Sequence, residues 1–250
     1  MNQSSRTIML VSLVALGLTL PATLAAQDNK PRPPAESKPP ATQPTVVKDA
    51  TPPGAPVYKP PLRGAPGGRV GGGTRGTGRE MFVLSVLAPD HTGLTTQEQP
   101  DLYWFISSAT STPVELTITE PNATQPLLET TIKTPVQAGV NRIRLTDHGV
   151  RLAPGVAYHW FVAVVPDANR RSKDILAGGM IERVQPPSTL ASALAQAAAT
   201  ERPAIYADAG LWYDAFAALT ALIDGDPSNA TLRQQRTALL TQVGLPTLDR

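Results

Sequence analysis

LAPGVAYHWFVAVV, residues 152–165, decides how this chain folds. Pro154-Gly155 is a turn signal, and the run that follows is rich in the aromatic and β-branched residues that favour extended backbone. Tyr158 stands four residues after Pro154, and Trp160 two further on. On a strand, Tyr158, Trp160, Val162 and Val164 share one face, and His159, Phe161, Ala163 and Val165 share the other. Both faces are therefore largely apolar. A strand with one solvated face should alternate, as PVELTIT at 113–119 does. DLYWFIS at 101–107 shares the anomaly, with Tyr103 and Phe105 opposing Leu102, Trp104 and Ile106. Something must cover an outer sheet face. A helical tail of the same chain is the cheapest candidate, and a partner protein is the other. His159, Phe161 and Val165, with Trp212 from the helical tail, form the candidate docking face.

Working outward, strand-like runs recur at FVLSVLA (82–88), DLYWFIS (101–107), PVELTIT (113–119), PLLETTI (126–132), VNRIRL (140–145), VAYHWFVAVV (156–165) and GGMIERV (178–184). Pro, Gly, Asn and Ser clusters separate them at spacings typical of a β-sandwich. The pattern Leu-x-Pro-Gly-x-x-Tyr resembles the tyrosine corner of immunoglobulin-like and fibronectin-type sandwiches. The expected fold is mainly β plus α: an immunoglobulin-like β-sandwich over residues 81–186, then a small helical module over 187–250. Such a fold says little about chemistry.

After Pro186-Pro187 the period becomes helical. Ser188 is the expected N-cap of a helix reaching about Ala199, with Leu190 and Leu194 one turn apart. Further helices are expected near 203–209 and 212–223. Gly225 ends the third, and Asp226 or Ser228 caps a fourth whose Leu232, Leu239, Leu240 and Val243 share one face.

The N-terminus reads as a secretory signal peptide over residues 1–26. Arg6 precedes an apolar run, Ile8–Leu20, and the small-residue exit ATLAAQ follows Pro21. That run is shorter than the ~20 residues that span a bilayer. The reading implies a bacterial periplasmic or extracellular protein with no transmembrane segment after cleavage at Ala25 or Ala26. The chain has no cysteine, so thiolate chemistry, lipid-modified cysteine and disulfide scaffolding are excluded. Residues 27–80 are Pro-rich and then Gly-rich, with Tyr58 as their sole aromatic, and the composition predicts a disordered basic linker. Nine Lys/Arg against four acids give this stretch about +5, whereas residues 81–250 carry about −4, with 12 bases and 16 acids.

Motifs for chemistry are scarce. Gly71, Gly73 and Gly76 spell G-x-G-x-x-G, but no strand precedes them and no helix follows, so they read as spacer. Arg63, Arg69, Arg75 and Arg79 read as solvated linker charges that can meet an anionic surface. His91, His148 and His159 lie far apart, without zinc spacing. DGDPSN (224–229) imitates half a calcium loop, yet Asn229 and Gln235 stand where Gly and Glu are needed. No catalytic residue, metal site or cofactor is expected. Arg170, Arg171 and Lys173 in the loop PDANRRSKD (166–174) are the candidate ligand- or partner-binding cluster, at an end of the sandwich where such domains carry binding loops.

Two resemblances add to this. Tyr206, Gly210, Trp212, Ala215, Leu219 and Pro227 fall at the intervals of a single tetratricopeptide unit, with Leu222 where a small residue is usual. This resemblance implies a helical hairpin of a kind that grips peptides or packs on proteins. RGAPGGRVGGGTRG, GLTTQEQPDLYWFI, LAPGVAYHWFVAVV, RRSKDILAGGMIERV and IYADAGLWYDAFAAL in succession resemble a bacterial exported family of unknown function, numbered 928 in its series. It implies envelope location and no activity. The leading expectation is a non-enzymatic binding or adaptor module of the bacterial envelope. Its partner would be an envelope protein or an anionic glycan or lipid surface, and not nucleic acid. An envelope hydrolase or transferase using loop carboxylates, or a purely structural envelope protein, is the alternative.

Overall fold

A computed structural model of the chain describes residues 52, 54–61, 68–71, 74–75, 82–245 and 248. All lie within one compact unit, Lys48–Arg250. The expected signal peptide falls outside the described residues, as does much of the expected linker.

Among the described residues nine strands form two sheets that share one apolar core. The first sheet runs in the order β1 (Thr74–Arg75), β2 (Phe82–Val86), β4 (Asp101–Ile106), β7 (Gly139–Arg144), all antiparallel. The second runs β3 (Gly93–Thr95), β9 (Ile175–Arg183), β8 (Ala157–Val164), β5 (Val114–Thr119), β6 (Leu128–Ile132), antiparallel except where β3 lies parallel to β9. Every strand expected from periodicity is present. The two additional ones, β1 and β3, are two and three residues long, too short to show a period.

The strand at 156–165 keeps its aromatic-rich face inward. Tyr158, Trp160, Val162 and Val164 are buried, beside Val114, Leu116 and Ile118 of β5. Before β8 the Tyr158 hydroxyl accepts the Ala153 N–H at 3.1 Å, tying the Pro154-Gly155 turn to the strand it feeds. Gly155 has φ +76°, in the left-handed region that glycine enters freely.

The apolar outer face has an internal explanation. Trp160 pairs with Gly179 and Phe161 with Gly178 across the β8–β9 ladder. A Cβ on Gly178 would stand 2.3 Å from the Phe161 ring, and one on Gly179 would stand 2.7 Å from the Ala88 methyl and 3.4 Å from the Trp160 indole nitrogen. One aromatic thus lies over each glycine, one per face of the sheet, filling the space a bare strand glycine leaves. His159 stacks on Phe161 at 6.1 Å and both are half-buried. Leu176 on this face remains 42 % exposed.

Among the described residues four helices follow: α1 (Ser188–Gln196), α2 (Arg202–Asp208), α3 (Trp212–Gly225) and α4 (Ala230–Gln242). Two expected caps are corrected. Ser188 opens α1 after Pro187 without a side-chain cap bond. The cap of α4 is Asn229, whose side chain accepts the Leu232 N–H at 3.2 Å, while Asp226 accepts from Ser228 and from the Asn229 amide. Asp226 thus orients the cap without being it.

The helices cover a different sheet face from the one expected at Phe161. Phe216 of α3 meets Tyr103 edge-on at 5.1 Å. Trp104 pairs with Val86, whose side chain faces Gly179 from across the core, so Tyr103 is on the outer side of the first sheet. The helical tail therefore explains the two-faced pattern of DLYWFIS, and the glycine pair explains that of β8.

At its N-terminus α3 is bonded into the sheets. The Trp212 indole donates to Leu87 C=O at 2.9 Å. The Tyr213 hydroxyl accepts from the Trp160 indole at 2.9 Å and donates to Met180 C=O at 3.0 Å. Gly93 leaves room for the Tyr213 ring, which would come within 2.7 Å of a Cβ there. Asp214 is buried and accepts from the Thr96 N–H at 3.0 Å, the Thr96 hydroxyl at 2.7 Å and the Gln97 amide at 3.2 Å. It fixes the turn leaving β3.

Candidate peptide-binding site

The site begins in the segment expected to be linker. Ala55–Pro61, APVYKPP, carries three prolines, which fix φ and push each preceding residue into extended backbone. It forms no regular strand, so its polar groups need partners elsewhere. They find them on the helices. The Gln242 carboxamide accepts the Tyr58 N–H at 2.8 Å and donates to Pro56 C=O at 2.8 Å, a two-pronged grip on one peptide unit either side of Val57. The Lys59 N–H donates to Ala207 C=O at 3.0 Å.

Tyr58 is the anchor. It is 7 % exposed, far from the solvated residue its composition suggested. Its ring meets Trp212 edge-on at 5.1 Å and stacks on His91 at 5.8 Å, and its hydroxyl lies 2.8 Å from His91 Nε2. Burial pushes the hydroxyl pKa well up, so it remains protonated and can donate to the imidazole. Burial also lowers the His91 pKa, with Asp90 opposing, which favours the neutral ring that accepts. Burying a side chain of this size stabilises by roughly 1.5–3 kcal/mol.

The rest of the strap follows the same surface. Lys59 pairs with Asp208 in an exposed ion pair. Gly210, at φ +75°, ends the α2 turn, and a Cβ there would stand 2.8 Å from Lys59 C=O. A side chain at Gly210 would therefore collide with the strap backbone. Beside the strap an open groove of about 610 Å³ is lined by residues including Val57, Leu190, Ala193, Ile205 and Asp208. Val57, 56 % exposed, forms part of its wall, and Asp208 is the only carboxylate among the described residues that line it.

A second stretch of the expected linker is also seated. Val70 and Gly178 exchange two backbone bonds at 2.9 and 2.7 Å along the edge of β9. Arg69 donates to Val243 C=O at 3.1 Å and Gly244 C=O at 3.4 Å, where cations complement the helix end. The disorder expected for residues 27–80 is therefore corrected at 54–61 and 68–71, and Arg69 is a structural residue instead of a solvated charge. The cause is long-range packing that composition does not encode.

The cation cluster at the loop after β8 is held by neighbouring acids. Arg170 pairs with Asp167 at 2.5 Å. Arg171 makes a bidentate pair with Glu115 at 3.0 and 2.6 Å and a further contact with Asp174 at 2.8 Å. Arg171 lowers the Glu115 pKa by hydrogen bonding. Lys173 is exposed. Two of the three cations are thus spent on the protein's own carboxylates.

The candidate docking face is not one surface. His159 and Phe161 lie together on the outer face of β8, while Val165, past the strand end, is buried with its N–H bonded to Pro113 C=O at 2.9 Å. Trp212 is fully buried under Tyr58, with its indole bonded to Leu87 C=O. Among the described residues no group of three or more His, Asp or Glu could hold a metal ion, and no helix is long and apolar enough to cross a membrane.

Sequence reasoning missed Tyr58, His91, Asp208 and Gln242. One signal was available: a single aromatic flanked by prolines, in a stretch otherwise empty of anchors. No curated protein matches the sequence. The family match spans residues 70–250, so it includes His91, Asp208, Trp212 and Gln242 and begins after Tyr58. With that span matched, the chain belongs to the family described as Domain of Unknown Function (DUF928).

Proposed function

We propose that the protein is a non-enzymatic binding or adaptor module of the bacterial cell envelope, whose helical hairpin is a peptide grip. The observation that carries this is the seating of Ala55–Pro61: an amide clamp on its backbone, an aromatic slot for its tyrosine and a carboxylate for its lysine. These are the elements by which domains recognise extended proline-rich peptides. The tetratricopeptide-like spacing of Tyr206, Gly210, Trp212, Ala215, Leu219 and Pro227 supports the same reading. The strand orders and the Tyr158 bond to Ala153 support an immunoglobulin-like sandwich as the rigid base of the grip. The signal-like start at 1–26 supports export.

A proline-rich peptide library panned on the full-length Tyr58→Ala protein tests the grip. It should enrich extended sequences with a tyrosine flanked by proline, and the enrichment should vanish when Gln242→Ala is added. Enrichment that ignores Gln242, or none at all, would refute it. N-terminal sequencing of the mature protein tests export, which predicts a start just after Ala25 or Ala26.

A further inference from the structure

β6 closes one edge of the second sheet, and among the described residues only β5 pairs with it. Their ladder runs unbroken from Leu128 to Ile132, with no bulge and no proline inside β6. An exposed strand edge invites pairing with another chain, and natural proteins blunt such edges by shortness, charge or cover. The other three sheet edges among the described residues are blunted. β1 is two residues long, β3 is three residues long and packs against Tyr213 of α3, and β7 carries Arg142 and Arg144. Asn141 of β7 also turns its amide back onto the Gln137 and Gly139 carbonyls. β6 has none of this protection along its length. Its backbone is also set to pair. The Val165 N–H donates to Pro113 C=O, so odd-numbered residues of β5 bond to β8 and even-numbered ones turn towards β6. Ile118 C=O accordingly takes the Leu127 N–H. Leu128, Thr130 and Ile132 therefore bond to β5, which leaves the N–H and C=O of Glu129 and Thr131 pointing off the edge. The side chains of Glu129, Thr131 and Lys133 are exposed. Neither Glu129 nor Lys133 is in an ion pair among the described residues.

We infer that β6 pairs antiparallel with β6 of a second copy of this chain, about a two-fold axis through Thr131, and joins the two sheets edge to edge. In that register the two Thr131 residues exchange both backbone bonds, and each Glu129 stands opposite Lys133 of the second copy. Opposite charges set across a ladder attract, and like charges repel. A register centred on Glu129 sets like charges together. One centred on Thr130 leaves both charges facing uncharged residues, Thr131 and Leu127. The occupant is a second copy because the strand is its own complement in backbone and charge, which a two-fold contact requires. The contact is narrow, so the pairing is weak and grows with protein concentration. It goes beyond the peptide grip and does not depend on it, since neither Tyr58 nor Gln242 lies on β6.

The chain has no cysteine, so one introduced thiol reports the register. Full-length Thr131→Cys is treated with a short bis-maleimide at about 100 μM, where associations weaker than micromolar are populated. Cα atoms of a bonded pair on the axis stand ~5.5 Å apart, so this variant should bridge roughly tenfold more than Ser192→Cys, exposed on α1. Adding Glu129→Lys or Lys133→Glu sets like charges across the ladder, and each should cut bridging about tenfold. Mixing those two charge variants makes both cross-strand pairs opposite again and should restore bridging to the Thr131→Cys level. Sedimentation equilibrium reads the same association without a thiol: the wild-type mean mass should rise above one chain with concentration, and that of Glu129→Lys should not. Three results overturn the pairing and leave the peptide grip standing: Thr131→Cys bridging no better than Ser192→Cys, a charge-variant mixture no better than its components, or a wild type that stays monomeric.

Discussion

Gln242 holds Tyr58 by its backbone while Trp212 and His91 hold it by its ring. The carboxamide accepts the Tyr58 N–H and donates to Pro56 C=O, both at 2.8 Å. Removing it in Gln242→Ala strands one donor and one acceptor, at a cost of about 1–3 kcal/mol. That cost should fall on strap docking and leave the sheets alone. Hydrogen exchange at residues 54–61 should accelerate by roughly 5–150-fold, the same energy expressed as a ratio, with β8 and β9 unchanged. Equal acceleration in the core strands would mean that the strap and body unfold as one unit.

Phe161 and Gly178 should be energetically coupled, because the ring occupies the place of the missing Cβ. Gly178→Ala forces the ring aside and should cost about 1–3 kcal/mol. Phe161→Ala uncovers the glycine and is also destabilising. The double variant should recover roughly 0.5–3 kcal/mol relative to the sum. Urea denaturation of the four proteins measures this. Strict additivity would show that the ring is held by something other than the glycine.

Acid should loosen the strap. Burial lowers the His91 pKa below the ordinary 6.5, so the unfolded or undocked state takes a proton first as pH falls. The contribution of the neutral ring is fully present above 6.5 and is lost as pH drops through the depressed value. The protection of 54–61, taken relative to the intrinsic exchange rate at each pH, should therefore fall on acidification within that window, and His91→Phe should flatten the dependence. A profile that is flat in the wild type contradicts this.

Asp214 has the opposite sign. Burial raises its pKa despite the bonds from Thr96, Thr95 and Gln97. Its stabilising contribution is full below the ordinary 3.8 and declines as pH rises through the raised value. Asp214→Asn, compared with wild type across pH by denaturant melts, should gain relative stability as pH increases from 3.8. Asp214→Ala should lose about 1–3 kcal/mol by leaving the Thr96 N–H without its partner.

Much of the fold was legible because strand and turn signals are local. The Pro154-Gly155 turn, the inward set of Tyr158 and Trp160, and the alternation of PVELTIT all act within a few residues. The paradox of a two-faced apolar β8 was also legible, but its resolution needed register. Gly178-Gly179 lies in plain sight, and only the ladder puts Phe161 and Trp160 over it. The site was illegible for the same reason. His91, Trp212 and Gln242 are distant from Tyr58 in sequence, and a proline-rich composition argues against order unless a groove is waiting. The pairing of the arginines after β8 was illegible too, since Glu115, which takes Arg171, comes from a strand far upstream.

The peptide grip requires that Ala55–Pro61 bind as a ligand does. A labelled peptide of residues 54–61 titrated into the full-length Tyr58→Ala protein, with fluorescence anisotropy as the readout, decides it. Saturable binding is predicted, weaker to wild type because its own strap competes, and lost in Tyr58→Ala/Gln242→Ala. Absence of binding to a Tyr58→Ala protein that melts as a folded molecule, or equal binding with and without Gln242, would contradict the account.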